Sequence, residues 1–478
     1  MNTNITGAAV TVSADAKAQD LTINPAGKLT LNSGKALTVK GNMLIQSDVT
    51  GTGSYIDYGT TSVTGTTTAQ RYMTGNWNHL WPANSDVIWH YVSTPVSGAT
   101  INTFAGGLLN SWKEDTLSTG YWKPLTLPLT IPLAVSTGYA AAMPSTGIIS
   151  YTGGTFNTGD KAINNLTNSD QSASRGYNLI GNAFPSAIAW NNLISRTNLD
   201  ASAYLWTGST YATYLTDDHH RIPSEQAFFV HVTVGHSTGS LVIPNTNRVH
   251  TDTVYAKSTA STRLDLTVTG NNLEDLTSIR FNNDATTGFD PEYDAYKLWG
   301  VTACPQIYCI ATDNLSINSL PEYTDKTVIP IGFKFGVNDN YTITASKLET
   351  FPGGTQIYLV DRVLHVEQDL FANPVYTFAA SIGNPGHRFD IQFSPLTGIP
   401  EGSVSNINIY SANKTVYINV PMDLHGQIIV YDLLGKEVAN QSIESKTLNK
   451  VSLNSQPGYY LVKVFGDKAT VSGKVFIQ

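Results

Sequence analysis

Three stretches decide how the chain is read: NINIYSANKTVYINVP (Asn406 to Pro421), GQIIVYDLLGKEVANQSI (Gly426 to Ile443) and GYYLVKVFGDKATVSGKVFIQ (Gly458 to Gln478). In each, apolar and polar residues alternate, so each can bury one face of a sheet. Gly435 follows Asp432-Leu433-Leu434 where a tight turn is needed, and Pro457-Gly458 opens the last stretch. The pattern predicts a small antiparallel sandwich. Outward from it, composition extends the strand reading to all 478 residues. Only 13% of them are charged, against roughly 25% in an average soluble protein, and Thr, Ser, Asn and Gly fill the deficit. Sustained helical periods are scarce. The expected fold class is all-β: a short N-terminal parallel β-roll or β-helix, then β-sandwich domains, then a small immunoglobulin-like C-terminal β-sandwich.

Residues 1–70 repeat one motif, as Val10-Thr-Val12, Leu21-Thr-Ile23, Leu29-Thr-Leu31 and Leu37-Thr-Val39. Repetition at this short interval predicts a coiled parallel sheet in which each repeat covers the last, with Leu, Val and Ile inward and Thr outward. A plain β-meander is the alternative. Residues 71–250 read as a β-sandwich region with an internal duplication, because WHYVSTPVSG (89–98) is echoed by GYNLIGNAFPSAIAWNN (176–192), each an aromatic strand ending in a proline corner. A short helix capped by Ser186 is expected over 186–192. Residues 251–395 show eight alternating segments, at 264–268, 278–281, 306–311, 327–335, 340–345, 357–361, 375–379 and 388–393, which predict a jelly-roll or immunoglobulin-like sandwich. Residues 396–478 complete the chain.

A net charge of −8, with no basic stripe, argues against nucleic acid as a partner. No apolar run approaches the ~20 residues that cross a bilayer as a helix. Cys304 and Cys309 could form a disulfide if a turn brought their Cα atoms within ~7 Å. Asp284, Asp290, Glu292 and Asp294 gather the hard oxygen ligands that calcium takes, though Asp is equally a turn former. Asp217-Asp218-His219-His220-Arg221 could hold zinc in principle, but neighbours on a strand point oppositely, so an exposed hairpin loop is the simpler reading. Trp77, Trp81, Trp89, Trp112, Tyr121 and Trp122 crowd one region. Flat rings of this kind either stack on sugars or fill a sandwich core, and Trp77, Trp81, Trp112 and Trp122 are the candidate glycan platforms. No nucleophile elbow, phosphate loop or dinucleotide fingerprint is present.

The three C-terminal stretches resemble the type A C-terminal sorting domain of proteins exported by the type IX secretion system of Bacteroidota. The likeness rests on VYDLLGKEV (430–438), GYYLVKV (458–464) and the ending Lys474-Val475-Phe476-Ile477. Its usual Tyr-Pro-Asn-Pro opening is replaced by Ile409-Tyr410-Ser411-Ala412-Asn413. The resemblance implies that Tyr431, Asp432, Leu433, Leu434, Gly435, Gly458, Tyr460, Val462 and Lys474 carry a sorting signal read by the outer-membrane machinery. It implies extracellular or outer-membrane-surface localisation in a Gram-negative bacterium, with surface lipopolysaccharide as a partner after cleavage. MNTNITGAAVTV lacks the features of a signal peptide, so the leader is expected to have been removed before residue 1. LTLNSGKALTVKGN (29–42) and FNNDATTGFDPEYDAYKLWG (281–300) are similar to phrases of the same class of surface proteins. The expected function is non-catalytic, adhesive or structural. Alternatives are a self-associating filament or surface-layer subunit, and a carbohydrate-binding module or hydrolase accessory protein with a glycan ligand.

Overall fold

The computed structural model describes residues 2–76, 87–114, 121–126, 128–250, 262–334, 336–380, 386–393, 407–420, 424–444, 448–466 and 470–477. They fall into two compact units, residues 1–394 and 395–478. The described residues are all-β, with helix confined to short 3-10 turns such as Thr216–Asp218.

The first unit begins as a three-sided parallel coil. Thr3–Ile5, Leu21–Ile23, Met43–Ile45 and Thr67–Asn76 stack in parallel on one side, with Leu21 paired to both Thr3 and Met43. Ala9–Val12, Lys28–Leu31 and Ser54–Asp57 form the second side, and Ala16–Ala18, Ala36–Val39 and Thr60–Val63 the third. Leu21, Leu29 and Leu37 therefore do not cover one another, as the short repeat suggested. They lie on three different sides of one winding, and each covers a residue one full winding away. Their side chains are buried with Ile23, Leu31 and Val39, while the intervening threonines are half-exposed. One corner is held by a column of side-chain caps: Asn42 N donates to Asp20 Oδ1 at 2.8 Å, and Thr66 N to Asn42 Oδ1 at 2.8 Å. Gly41 and Gly65 are needed there, because a Cβ at either would collide with the residue below.

The last strand of the first side is also the joint with the sandwich region. Thr67–Asn76 pairs in parallel with Met43–Ile45 and antiparallel with Ser145–Thr152, so the coil continues into the sheets beyond it. Two four-stranded antiparallel sheets come next: His90–Val92, Tyr139–Ala142, Leu108–Trp112, Trp122–Pro124; and Tyr177–Gly181, Ala227–His231, Ala203–Trp206, Tyr211–Tyr214. Both have one order, the last strand in sequence running between the first and second. Residues 186–192 are not helical. Ala187–Ala189 is a strand between Arg221–Ile222 and Arg248–Val249. Every residue from Ser186 to Trp190 is buried, and a helix there would have needed a solvent face.

All eight alternating segments between 264 and 393 lie in strands of one large sheet, which adds Asn314–Leu320, Val366–Asp369 and Ala295–Tyr296. The sheet curls over its own core, since Phe378 near one edge lies 4.9 Å from Phe389 near the other. Cys304 and Cys309 are free, buried thiols. Cys309 lies in the strand Gln306–Ile310 and Cys304 precedes it.

The second unit is a two-sheet sandwich. Asn408–Ala412, Thr415–Asn419 and Leu448–Ser452 form one sheet; Glu437–Ser442, Gly426–Tyr431, Gly458–Gly466 and Thr470–Ile477 form the other. Val416, Ile418, Ile428, Val430, Val462 and Val464 fill its core.

The coil meets the sandwich region at buried charges. Arg248 Nη1 lies 2.6 Å from Asp57 Oδ1, and its Nη2 donates to Tyr55 O at 2.7 Å. Removing one partner of such a buried pair costs about 3–5 kcal/mol, so Arg248→Ala is expected to lower the thermal midpoint sharply, and a matched apolar replacement of both residues to recover most of it. Nearby, Glu225 is buried beside Arg71, which donates to the Glu225 backbone oxygen, and Glu225 Oε1 has no hydrogen-bond partner. Burial raises its carboxyl to about 8. The folded state thus keeps a proton that the unfolded chain releases near pH 4.5, and the stability this gives is lost as pH rises from about 4.5 to about 8. Glu225→Gln should melt higher than the native chain at pH 8, with the gap closing below pH 4.5 in a melting series across pH.

Candidate functional site

Aromatic side chains fill the seam between the two like-ordered sheets. Tyr91, Trp112 and Trp122 come from the first sheet, and Trp206, Tyr211 and Phe229 from the second. Trp112 and Phe229 lie 4.9 Å apart, edge to face, and Tyr91 and Phe229 5.6 Å apart. Such rings are too large and flat to interdigitate as aliphatic side chains do. Their polar atoms are satisfied inside the seam: Tyr91 and Tyr211 share a hydroxyl hydrogen bond of 2.7 Å, Trp206 Nε1 donates to Trp89 O at 3.0 Å, and Trp112 Nε1 donates to Tyr177 O. Ring faces are what remain to meet a ligand.

Two open hollows result from this packing. One, of about 470 Å³, is bounded by Trp89, Tyr91, Trp122, Trp206, Tyr211 and Trp299. The other, of about 430 Å³, is bounded by Trp112, Tyr121, Arg175, Tyr177, Tyr211 and Trp299, among others. Tyr211 and Trp299 border both. Five of the eight tryptophans line them, so most of the tryptophans gather at one place. Trp112 stacks on Tyr121 at 4.7 Å, and the Arg175 guanidinium lies 5.0 Å from the Tyr121 ring. Trp299 is 40% exposed. Trp112 and Trp122 are half-buried, packing against the core and lining a hollow. Trp77 and Trp81 lie outside the described residues. Trp206, Tyr211 and Trp299 were missed by sequence reasoning; they are far from the first cluster in the chain, and only the packing of the second sheet and of the segment after Ala295–Tyr296 against the first sheet joins them.

The other candidates resolve differently. Asp284, Asp290 and Asp294 do not converge as a calcium site, and among the described residues no group of acidic, His or Cys side chains is placed to hold a metal. Asp290 accepts from Thr286, Asp294 accepts from Asp290 N and Ser319 N, and Glu292 pairs with Arg196 at 2.6 Å. They are turn formers. Burial pushes the Asp294 carboxyl up to about 7. The Asp217 to Arg221 segment is tied down rather than being a free hairpin loop. Arg280 pairs with Asp217 and Asp218, Arg263 bridges Asp218 and Asp265, and the His220 ring stacks on Tyr214 at 3.4 Å.

In the second unit, the Asp432-Leu433-Leu434-Gly435 turn is built by its own backbone. Asp432 Oδ1 accepts from Leu434 N and Lys436 N, each at 2.9 Å, and Gly435 takes φ +82°, which suits a residue without Cβ. The turn holds Leu433 70% and Leu434 94% exposed. Tyr431 lies in the strand before it and pairs with Leu461. Tyr460 and Val462 are buried, Tyr460 donating its hydroxyl to Gln456 O, and Gly458 starts their strand. Lys474 Nζ sits 4.2 Å above the Tyr459 ring. Of the proposed signal residues, then, Tyr460 and Val462 support the fold, and Leu433, Leu434 and Lys474 face outward.

No curated protein matches the chain. A solved structure described as a biofilm associated protein, BSP domain, aligns over 86% of this chain and 96% of its own at 9% identity, with a TM-score of 0.14, and a likeness at that level carries no argument. No helix of the described residues is long and apolar enough to cross a membrane. Residues 405–478 match the secretion system C-terminal sorting domain, so the second unit is a type IX sorting tail, of the kind Bacteroidota use, that sends the protein to the cell surface or beyond. Residues 2–220 and 208–393 match the model described as a domain of unknown function, DUF8693, and since these matches span more than half of the chain, the protein belongs to that family.

Proposed function

We propose that this exported protein is a non-catalytic surface adhesin that holds glycans in the aromatic seam. The observation that carries the reading is the pair of hollows sharing Tyr211 and Trp299, walled by tryptophan and tyrosine faces. Sugar rings present C–H faces that bury well on such surfaces, while their hydroxyls stay at the wet rim. The hollows fall within the range of ~300–1,000 Å³ typical of small-ligand sites. Holding, rather than converting, needs only these faces and a few polar groups such as Arg175 and Asn110. Trp299→Ala should leave the fold intact, because Trp299 lies outside the strands and is 40% exposed, and weaken glycan binding by about tenfold on an array or by calorimetry, in line with ~1.4 kcal/mol of lost stacking and burial. Unchanged binding would count against the seam.

The secretion machinery meets the tail, in this reading, at the exposed leucine tip. Two large apolar side chains held out in water by a self-sufficient turn contribute little to the tail's own stability. Leu433→Ser with Leu434→Ser should therefore leave the melting of the tail nearly unchanged, within about 0.5 kcal/mol, while severalfold less protein reaches the cell surface. Normal export of this variant would place the recognised surface elsewhere.

A further inference from the structure

A third hollow, of about 1100 Å³, adjoins the seam at Tyr211 and is of a different chemical kind. Its floor is the outer face of strands Thr262–Gly270, Leu273–Phe281 and Asp339–Ser346, presenting Thr267, Thr269, Asn340 and Thr342. One wall is the hairpin of Ala203–Trp206 and Tyr211–Tyr214. The tip of that hairpin is locked, since Thr210 Oγ1 donates to Asp275 Oδ1 at 3.0 Å and Val301 N donates to Ser209 O at 2.7 Å. The wall is thus preformed.

Apart from the exposed Glu274, the charges in this cleft are engaged by one another or by neighbours just outside it. Arg263 and Arg280 are engaged by Asp218 and Asp265 or Asp217, Ser278 donates to Asp265, and Asp275 is held by Lys297 at 2.6 Å. Four carboxylates (Asp218, Asp265, Glu274, Asp275) line the space against two arginines. An anionic chain would meet net repulsion and no uncommitted guanidinium. Hydroxyl and amide groups of Thr and Asn are left to recognise a ligand, together with the flat Tyr214–His220 pair. Burial holds the His220 imidazole down at about 4, so that platform is uncharged at neutral pH.

We infer that the polar cleft is an extended subsite for the same ligand, which is a neutral glycan chain long enough to run from the aromatic seam past Tyr211 onto the threonine-lined floor. This rests on the seam reading above and adds to it the ligand's length and charge class. The combined space exceeds what a small saccharide fills.

The test uses the full chain on an array of neutral and acidic glycans, then calorimetry with neutral cello-, xylo- and manno-oligosaccharides of increasing length. Thr269 is exposed on the cleft floor, so Thr269→Trp blocks the cleft without entering the core; Asn340→Trp on the neighbouring strand is a second, independent block. Affinity is expected to rise by about tenfold or more once the chain outgrows the seam. Each block should remove that gain and leave the shortest ligands unaffected. If Trp299→Ala weakens binding at every length while length and both blocks have no effect, the seam stands and the extended subsite is overturned. Preference for acidic chains would likewise overturn it. No binding to any glycan removes both readings.

Discussion

Backbone hydrogen bonding at the end of a parallel coil is the constraint on which the first unit depends. Each side of the coil ends in a strand whose N–H and C=O groups need partners. Thr67–Asn76 answers this on one side by pairing with Met43–Ile45 behind it and Ser145–Thr152 ahead of it. On the second side Tyr55 N donates to Pro185 O, and Arg248 supplies donors to Tyr55 O and Asp57. The sandwich region is therefore built onto the coil, with buried charge at the joint. That arrangement makes the joint sensitive to single substitutions, because a guanidinium or carboxylate left alone there has no water to turn to.

A second consequence concerns the aromatic seam. Two sheets with one strand order bring like surfaces together, and here those surfaces carry rings. Aliphatic faces would close to interior density. Rings with centroids 5–6 Å apart, several of them edge to face, hold the sheets open at the margins, and the hollows are what remains. The same cluster thus fills a core and lines the hollows: Tyr91 and Phe229 are buried deep in the seam, whereas Trp299 and Trp122 show a face outward.

Strands were legible in the sequence wherever one face is wet. The eight alternating segments of the large sheet fall on strands, since period-two patterning records a single buried face, whereas each of the three tail stretches holds two paired antiparallel strands rather than one. Asn314–Leu320 was missed because Leu315 to Ser319 are buried on both faces and mix polar with apolar residues. Residues 186–192 misled for a related reason: a capped, apolar run reads as a helix unless its neighbours are known. In the coil the repeat was visible but its period was not, because one turn contains three similar motifs and sequence alone does not say which of them stack. Of the site, Trp89, Trp112, Tyr121 and Trp122 could be named in advance. Their partners Trp206 and Tyr211 arrive from the second sheet and Trp299 from the segment after Ala295–Tyr296, a meeting of distant segments that leaves no local signature. The acidic loop shows the reverse case, in which suggestive residues are engaged by nearby backbone N–H groups, Thr286 and Arg196.

In the proposed function, export and binding are divided between the two units. The tail gives the route, and the DUF8693 region carries the surfaces on which the protein's work would be done. The central claim is that aromatic faces of the seam contact a neutral glycan directly. Saturation-transfer difference NMR on the intact chain tests this most simply, with the aromatic protons irradiated in the presence of neutral oligosaccharides. The account predicts transfer to the C–H protons on one face of consecutive sugar rings. Oligosaccharides that bind yet receive no saturation from the aromatic protons would contradict it.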